Sequence, residues 1–419
     1  MAKIVVKDAV VVNLEETNIN VMEKLIRGEL QLAGLRIMEK AFKTIEARKL
    51  KSRPFCECGG EWRNKGRVLR QIFTVLGKIK YRRLRLRCLS CGTYYYPLDD
   101  GLGLQADKNI TLGLTEQVLH LATDTPYDKA SKNLKKLGGV EISGRQIQNL
   151  AKEEGEKIKE IARKEREQIF EKGCVPESKE KRKRVFVEID GTFVKERSKP
   201  RSVECKVGVI YSDKVKVSKN RIRILDKRTY ATIENLDTFR EEFIAECNKW
   251  GVWDAEEILY MSDGASWIKK MCKDDFPGAT YLLDFWHLAE NISRTLGEEH
   301  RRAADNWIEE VKTTYDAKLL LKRIKGLYPR IRDPDMLEKL RKLYGYVKNN
   351  EEGIENWKKV NCLGSSGAIE KTVDITVARR FKNRGMSWLQ EGISGLLSLR
   401  LLKLNGEWDD YWKAKGVPL

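Results

Sequence analysis

The spacing of apolar residues changes several times along the chain, and each change predicts a different kind of element. Residues 14–50 carry apolar side chains three or four positions apart, with Lys, Arg and Glu on much of the other face, which predicts a helix. The helical spacing returns over residues 112–172 and, in strongly charged form, over 286–360. Two further helices are predicted around 368–382 and 387–404.

Short apolar runs alternate with helical stretches from residue 185 to about 285, and this alternation predicts an α/β sheet. The predicted strands lie at 185–190, 205–211, around 221–225, 258–263 and 280–283, with a helix at roughly 236–250. A strand meander followed by α/β crossovers is the order of a ribonuclease-H-like mixed sheet.

The composition adds a class of partner to this picture. The chain has 419 residues, of which 41% are hydrophobic and 34% charged, as in globular proteins, and its net charge is +19. A basic excess of that size favours a polyanion such as nucleic acid. The alternative is a generically basic surface.

No targeting or membrane-spanning segment is visible in the sequence. No run approaches the roughly 18 apolar residues that a membrane helix needs. We therefore expect a cytoplasmic, nucleoid-associated protein with no membrane partner. The nine cysteines then lie in a reducing compartment, where clustered cysteines are typical of metal sites rather than disulfides.

Two cysteine pairs, each followed by glycine, predict a zinc ribbon. Cys56 and Cys58 form the first pair, and Cys88 and Cys91 form the second. Four thiolates at the ends of a hairpin can hold a structural Zn²⁺ tetrahedrally. The first pair is C-x-C rather than C-x-x-C and the loop between the pairs is long, so four reduced cysteines without metal are the alternative.

Alternation along a strand predicted at 80–87 separates arginines from leucines. Arg83, Arg85 and Arg87 share one face, and the leucines between them share the other. The leucine face is expected to pack, while the guanidinium groups face DNA phosphates.

Residues 115–154 predict three short helices of the helix-turn-helix type. A Gly-Gly pair ends the second helix, and Ser143 is the expected N-cap of the third. Arg145, Gln146 and Asn149, in the first two turns of that helix, are residue types that contact base edges in a major groove. The alternative is a helical bundle whose polar face is only solvated.

Three carboxylates occupy positions suited to a site for hard metal ions. Asp190 and Asp263 each end an apolar strand and precede a glycine, and Glu370 opens a predicted helix after a glycine-serine break at 364–367. Mg²⁺ prefers oxygen ligands, and clustered carboxylates repel one another without a metal. Either aspartate alone is as readily a helix cap or a turn former. The rivals to Glu370 are Glu355, Asp374 and Glu391.

These stretches resemble prokaryotic insertion-sequence transposases of the DDE class. The resemblance is nearest to those that join a zinc ribbon and a helical front end to a Mutator-like catalytic domain. The residues that carry it lie at 187–192, 261–267, 283–287, 364–370 and 379–388.

The resemblance implies that Asp190, Asp263 and Glu370 hold two Mg²⁺ or Mn²⁺ ions for DNA strand cleavage and strand transfer at the ends of a mobile element. It matches Asp284 and His287 to the Asp/Cys-x-x-His element of Mutator-like enzymes, expected in the outer shell of the active site. It also implies double-stranded DNA partners, namely terminal inverted repeats and a target. At least a dimer is expected, because two DNA ends must be brought together.

Basic residues follow Glu370 at the end of its predicted helix or just past it. They are Arg379, Arg380, Lys382 and Arg384. We expect them to contact phosphate near the cut, the alternative being a solvated basic face.

The predicted organisation is a multidomain α/β protein. Its parts are an N-terminal helical segment at 1–50, a zinc ribbon at 51–100, a helix-turn-helix-like DNA-binding domain at 101–172, a basic linker at 173–184, a ribonuclease-H-like catalytic domain at 185–404 with an all-helical insertion at about 288–362, and a tail at 405–419. Two other functions remain alternatives to a transposase: a nuclease of similar fold that cuts without joining strands, and a non-enzymatic DNA-binding protein derived from a transposase.

Overall fold

The computed structural model of the protein describes residues 5–12, 18–105, 107–174, 181–198, 202–218, 221–360 and 367–418. The chain divides into two units, residues 1–150 with 409–419 and residues 151–408. Helices accompany a mixed sheet in the second unit, so the prediction of a multidomain α/β protein is confirmed. Half of the predicted linker, residues 175–180, and most of the predicted glycine-serine break lie outside the described residues.

The first unit combines a long helix, a β-hairpin and shorter helices. Its elements are α1 (Ile19–Lys51), β1 (Trp62–Thr74), β2 (Gly77–Cys88), β3 (Tyr94–Tyr95), α2 (Pro97–Leu102), α3 (Leu112–Asp124) and α4 (Tyr127–Gly138), and α5 (Gly144–Phe170) begins in it. β1 and β2 pair antiparallel. Phe42 of α1 packs with Ile72 and Ile79 of the hairpin in one apolar core.

After the end of α5, the second unit has five strands, then two helices that alternate with two more strands, and then further helices. Its strands are β4 (Arg184–Lys195), β5 (Ser202–Tyr211), β6 (Asp213–Ser218), β7 (Arg221–Leu225), β8 (Arg228–Thr232), β9 (Glu257–Ser262) and β10 (Thr280–Leu283). Its helices are α6 (Leu236–Trp250), α7 (Ser266–Asp275), α8 (Phe285–Leu296), α9 (Arg301–Thr314), α10 (Ala317–Leu327), α11 (Pro334–Asn349), α12 (Glu351–Glu355), α13 (Gly367–Val373), α14 (Arg379–Phe381) and α15 (Gln390–Leu404). A last helix, α16 (Trp408–Ala414), begins at the end of this unit.

Five strands of the described chain form one mixed sheet in the order β10-β9-β4-β5-β8. β9 runs parallel to both β4 and β10, while β4, β5 and β8 form an antiparallel meander. Because β4, β9 and β10 are parallel, the carboxyl ends of β9 and β10 meet at one edge of the sheet beside β4, which continues further. Ligands bind at such an edge in many α/β proteins.

The third strand of the meander is not the one that the sequence predicted. The segment predicted around 221–225 is β7, which pairs with β6 in a separate two-stranded ribbon. The sheet instead takes β8, which follows shortly after and pairs with β5. The prediction was wrong because local pattern favours a strand but does not specify its partner.

Glycines allow two close contacts between elements of the second unit. A Cβ on Gly208 of β5 would lie 2.4 Å from the Phe243 ring, which is buried on α6. A Cβ on Gly155 of α5 would lie 2.2 Å from the carbonyl oxygen of Gly395 on α15. Only a residue without a side chain permits these approaches.

Helices α8 to α12 form a helical block with its own apolar core. Buried residues from successive helices meet there, including Leu288, Trp307, Leu320, Leu340 and Val347. The block follows β10 directly, so the first turn of α8 lies at the sheet edge where the parallel strands end.

The helix that carries Glu370 contains a π-helical turn. This turn, Asp374–Ala378, lies between α13 and α14. Arg400 of α15 is buried and donates to the carbonyl of Thr376 at 2.9 Å and to that of Ile375. The wide turn changes the face on which the residues after it lie.

Within the described ranges, none of the helices combines the length and the apolar composition that crossing a membrane requires.

Candidate active site

Three aspartates lie at one edge of the sheet because β9 and β10 end there, beside the point at which β4 extends past its pairing with β9. The register that pairs β4 with β9, continued by two residues, brings Asp190 opposite Asp263. The register that pairs β9 with β10, continued by one residue, brings Asp263 opposite Asp284. Asp263 and Asp284 directly follow their strands, as predicted for Asp263, but Asp190 does not end a strand, because β4 continues to Lys195 in pairing with β5. The sheet itself therefore places these three residues on neighbouring strands.

Local hydrogen bonds orient two of these aspartates. The Asp190 carboxylate accepts from the amide of Gly191 at 2.7 Å, and the Asp263 carboxylate accepts from the amide of Ala265 at 2.8 Å. Tyr346 of the helical block donates its hydroxyl to the Asp263 carbonyl at 2.7 Å. The strand end at Asp263 is thus held by its own turn and by α11.

Gly264 makes that turn sterically feasible. Its φ is +92°, a region that favours glycine. A Cβ there would also lie 2.8 Å from the side-chain nitrogen Nδ2 of Asn350 and 2.9 Å from the Tyr346 ring. The glycine that follows Asp263 in the sequence is therefore required by both backbone conformation and packing.

Helices α8 and α13 supply the other side of the site. Asp284 is fully buried and is the N-cap of α8, where its carboxylate accepts from the amide of Trp286 at 3.1 Å. His287 Nε2 lies 3.6 Å from a carboxylate oxygen of Asp284 and 3.9 Å from one of Glu370. One ligand atom from each of these three residues lies within 4.8 Å of the others, which is close enough to share a metal ion.

The charges of the cluster act on Asp190. Burial raises the pKa of its carboxyl, and the charges of Asp263 and Glu370 raise it further. The hydrogen bond from the Gly191 amide and the charge of His287 lower that pKa, but the net shift is upward. Asp190 is therefore within electrostatic reach of Asp263, His287 and Glu370. Carboxylates that repel one another in this way favour a bound divalent cation.

Two rivals to Glu370 pair with cations instead. Asp374 pairs with Lys371 and Arg379 at 3.3 and 3.0 Å, and Glu391 pairs with Lys152 at 2.6 Å. Glu355, the third rival, lies at the end of α12. The structure thus brings Glu370, rather than these rivals, to Asp284 and His287.

A buried carboxylate that the sequence interpretation missed lies behind the site. Glu188 of β4 is fully buried, and its carboxylate accepts from Lys214 Nζ at 3.3 Å, from the Tyr211 hydroxyl and from the Ile369 amide at 2.9 Å. Ile369 directly precedes Glu370. The signal in the sequence was a glutamate inside an otherwise apolar strand run.

The four basic residues predicted beyond Glu370 do not share one environment. Arg379, Lys382 and Arg384 are exposed, and Lys382 donates to the hydroxyl of Thr192 on β4. Arg380 is only 1% exposed, and its guanidinium lies 5.0 Å from the centre of the Trp388 ring. The prediction that Arg380 contacts DNA is therefore wrong, because its position on the helix directs it into the core.

Four cysteine sulfurs gather beside the hairpin of the first unit. The Cys58 sulfur lies 3.5 Å from those of Cys56 and Cys88, and the Cys56 sulfur lies 3.5 Å from that of Cys91. Tetrahedral Zn²⁺ with Zn–S bonds of about 2.3 Å separates its sulfurs by about 3.8 Å. The cluster is therefore compatible with a zinc site.

The cysteines of this cluster differ in how readily they ionise. Hydrogen bonds from the hydroxyl and amide of Thr93 lower the pKa of the Cys91 thiol to about 6. The hydrogen bond from the Cys58 amide lowers the pKa of the Cys56 thiol. Burial and the neighbouring sulfurs outweigh it and raise that pKa to about 12. The thiolate is the form that binds metal, so Cys91 would bind with little loss of protons, whereas Cys56 would release a proton to solvent as the metal binds.

The arginines of β2 do not all face outward as predicted. Arg83 is 8% exposed, pairs with Asp99 of α2 and lies 3.8 Å from the centre of the Tyr96 ring. The prediction that it faces DNA is wrong, because α2 and the residue before it cover that part of the strand. Arg85 is half-buried and Arg87 is exposed.

The predicted helix-turn-helix residues lie on an exposed helix start. α3, α4 and the first turns of α5 share an apolar core. Ser143 and Gln146 form a capping box at the start of α5. The Ser143 amide donates to the Gln146 side chain at 3.1 Å, and the Gln146 amide donates to the Ser143 hydroxyl at 3.2 Å. Ser143 is therefore the N-cap that the sequence predicted. Arg145, Gln146 and Asn149 are exposed there, and their contact with bases stays a prediction.

Comparison with known proteins identifies one family. The sequence profile of the family described as "Uncharacterised protein family (UPF0236)" matches residues 18–413. That span includes both the cysteine cluster and the carboxylate cluster.

Similar proteins occur in two bacteria. The "UPF0236 protein in vanSb 3'region" of Streptococcus gallolyticus is 25% identical over 355 residues, which cover 82% of this chain and 74% of the relative. The "UPF0236 protein TTE0610/TTE0881/TTE1053/TTE2432" of Caldanaerobacter subterraneus subsp. tengcongensis is 23% identical over 385 residues, which cover 92% of this chain and 76% of the relative. A further protein of that organism is 24% identical over 343 residues, covering 80% of this chain and 68% of the relative, and its name joins eleven designations from TTE0033 to TTE2212.

Proposed function

The chain belongs to the UPF0236 family, and from its carboxylate cluster we propose that it is a DNA transposase of the DDE class. The proposed reaction is metal-dependent cleavage of a DNA strand at the end of a mobile element, followed by transfer of the freed strand end to target DNA. The observation that carries the proposal is the convergence of Asp190, Asp263 and Glu370 with Asp284 and His287 at one edge of the sheet.

The topology of the sheet supports a ribonuclease-H-like catalytic domain. An antiparallel meander of β4, β5 and β8 comes first; β9 then joins the free side of β4 in parallel, and β10 joins β9 in parallel. The helical block follows β10 and precedes the helix of Glu370. This is the arrangement that the resemblance to Mutator-like enzymes implies.

The residue types in the cluster fit Mg²⁺ or Mn²⁺. Asp190, Asp263 and Glu370 would hold the ions, because these cations prefer carboxylate oxygens. When bound, two such ions activate the attacking hydroxyl group and stabilise the leaving oxygen in phosphoryl transfer. His287 lies 3.6 Å from Asp284 and 3.9 Å from Glu370, and Asp284 and His287 would support the Glu370 carboxylate from the outer shell of the site.

Exposed cations beside the cluster suit a phosphate backbone. Arg379, Lys382 and Arg384 follow Glu370 on the same stretch of chain, and Lys382 bonds to Thr192, two residues beyond Asp190. Lys382 therefore supplies positive charge near Asp190, where a scissile phosphate would lie.

The first unit would bind the element ends. Cys56, Cys58, Cys88 and Cys91 would hold a structural Zn²⁺ and so form a zinc ribbon, which would fix the hairpin that carries Arg87. The exposed start of α5 would contact bases in the terminal inverted repeats. Because a transposase joins two ends, at least two copies of the chain would act together.

The names of the relatives add independent support. One name joins eleven designations of the same form within a single organism, and two others join four and two. We interpret these as copies of one protein at several loci, which is what the activity of a mobile element produces.

A strand-transfer assay tests the proposal. DNA from both flanks of the gene, which the proposal expects to carry paired inverted repeats, provides the substrate. Wild-type protein with Mg²⁺ is expected to yield both cleaved and joined products. Asp190→Ala, Asp263→Ala and Glu370→Gln should abolish both products. Glu391→Gln, which changes a surface glutamate paired with Lys152, is the matched control and should retain both.

Two outcomes would contradict the transposase proposal. Cleavage without joined products would indicate a nuclease. Salt-dependent DNA binding with no cleavage in Mg²⁺ or Mn²⁺ would indicate a DNA-binding protein derived from a transposase.

A further inference from the structure

We propose that Glu188 is a positioning residue that sets the location of Glu370 by binding the first turn of its helix. The inference rests on the proposed function and assigns a role to a carboxylate that neither the resemblance nor the family comparison singles out. Glu188 would not touch the metal ions or DNA; it would act through the backbone amide of Ile369.

The geometry links the two parts of the site directly. Glu188 and Asp190 lie two residues apart on β4 and so point to the same face of the sheet. The Ile369 amide, which donates to Glu188 at 2.9 Å, belongs to the residue before Glu370. One hydrogen bond therefore connects the strand of the first ligand to the helix of the third.

The bond involves an amide that the helix itself leaves without a partner. The first four amides of an α-helix have no carbonyl one turn earlier, and Ile369 lies in the first turn of α13. By accepting from this amide, Glu188 fixes how far the helix extends towards the sheet. It also fixes the rotation of the helix, and with it the direction of the Glu370 side chain.

Lys214 and Tyr211 prevent Glu188 from turning away. The Tyr211 hydroxyl and Lys214 Nζ both donate to one carboxylate oxygen, which leaves the other for Ile369. The Lys214 and Glu188 side chains are 3% and 0% exposed, and the Tyr211 ring stacks on Phe186. Burying a charged pair is costly, and well-packed apolar side chains would stabilise a core at least as well. The polar network is therefore better explained by the precision with which it places α13.

Glu188→Gln tests this role, because it keeps the size of the side chain but replaces one acceptor oxygen with a donor. The glutamine cannot accept from Ile369, Tyr211 and Lys214 together. Mn²⁺ binding to DNA-free protein, measured by electron paramagnetic resonance, should weaken by roughly 10- to 100-fold, as for other residues that orient metal ligands. Cleavage at saturating Mn²⁺ should slow by a similar factor. Hydrogen exchange of the peptide that contains residues 367–373 should also accelerate.

Glu246→Gln is the matched control. It removes the charge of a half-buried glutamate that pairs with Arg228 in the same unit, between α6 and β8. It should lower the unfolding temperature but leave Mn²⁺ affinity and the exchange of residues 367–373 unchanged. If Glu188→Gln does not fold, Tyr211→Phe, which removes one donor and keeps the ring, provides the same test with a smaller expected effect of about threefold.

The outcomes separate the inference from the proposed function. Folded Glu188→Gln protein with wild-type Mn²⁺ affinity and wild-type exchange of residues 367–373 would overturn the positioning role, whatever the reaction. Inactive wild-type protein would instead contradict the transposase proposal. In that case weakened Mn²⁺ binding by Glu188→Gln would still support the positioning of Glu370.

Discussion

Replacing Gly264 with alanine tests whether the turn after Asp263 sets the geometry of the site. Gly264 has a φ of +92°, and a Cβ there would lie 2.8 Å from the Asn350 side-chain nitrogen and 2.9 Å from the Tyr346 ring. Asn350 cannot retreat freely, because its side chain accepts from the Tyr281 hydroxyl at 2.9 Å and donates to the Tyr346 carbonyl at 2.9 Å. The strain must therefore be shared with the backbone next to Asp263.

Two costs add in this variant. A residue with a Cβ at this kind of positive φ costs about 1–2 kcal/mol, and forcing a methyl group into a packed site costs about 1–3 kcal/mol. We expect Gly264→Ala to lose roughly 2–5 kcal/mol of unfolding free energy, a large part of the typical total of about 5–15 kcal/mol. Displacement of the adjacent Asp263 should also slow metal-dependent cleavage by about tenfold or more.

Gly278 offers a matched control in the same unit. Its φ is +84°, and an added Cβ would meet nothing within 4 Å. Gly278→Ala should therefore lose only the backbone cost of about 1–2 kcal/mol and keep the wild-type cleavage rate. Urea unfolding followed by tryptophan fluorescence measures both variants, and their difference isolates the crowding at Gly264.

Equal losses of unfolding free energy in the two variants would refute the steric argument for Gly264. So would a folded Gly264→Ala protein that cleaves DNA at the wild-type rate, because the turn would then have no influence on Asp263.

Three further predictions follow from the same geometry. Folding raises the pKa of the Asp190 carboxyl above its usual value of 3.8. This group therefore stabilises metal-free protein at low pH, and that contribution is lost as the pH rises through the raised pKa. In chelator at neutral pH, Asp190→Asn should melt at a higher temperature than wild type, and a lower melting temperature would contradict the repulsion among the carboxylates. In zinc-free protein near neutral pH, iodoacetamide should modify exposed Cys91 first and buried Cys56 last, because their pKa values are about 6 and about 12. Peptide mass spectrometry measures the order of modification. The reverse order would contradict these pKa values. Arg384→Ala should reduce the slope of DNA affinity against salt concentration by about one phosphate contact. Arg380→Lys should leave that slope unchanged and lower the melting temperature, because Arg380 is buried. The opposite pattern would show that Arg380 contacts DNA and Arg384 does not.

Much of the second unit could be predicted because its signals are local. The helix predicted at roughly 236–250 is α6, Leu236–Trp250, and the strand predicted at 280–283 is β10, Thr280–Leu283. An asparagine cap and a glycine with positive φ bound α6, and both act over only a few residues. Such signals are legible in the sequence alone.

The wrong predictions share a different cause. Arg83 and Arg380 were expected on exposed faces, and β7 was expected in the main sheet. Their environments depend on elements elsewhere in the chain: α2 covers Arg83, and Trp388 lies against Arg380. Alternation along one element indicates that two faces differ, but it does not indicate what packs on either of them.

By itself, the sequence determined that aspartates lie in or directly after apolar strands, that a glutamate opens a late helix and that four cysteines occur in pairs. Only the tertiary structure decided which carboxylates meet and which are buried. Glu188 accepts from the amide of Ile369, 181 residues away, and that bond exists only because β4 and α13 pack together. Local patterns fix where a charged group lies on its own strand or helix, whereas its neighbours and its access to water depend on long-range packing.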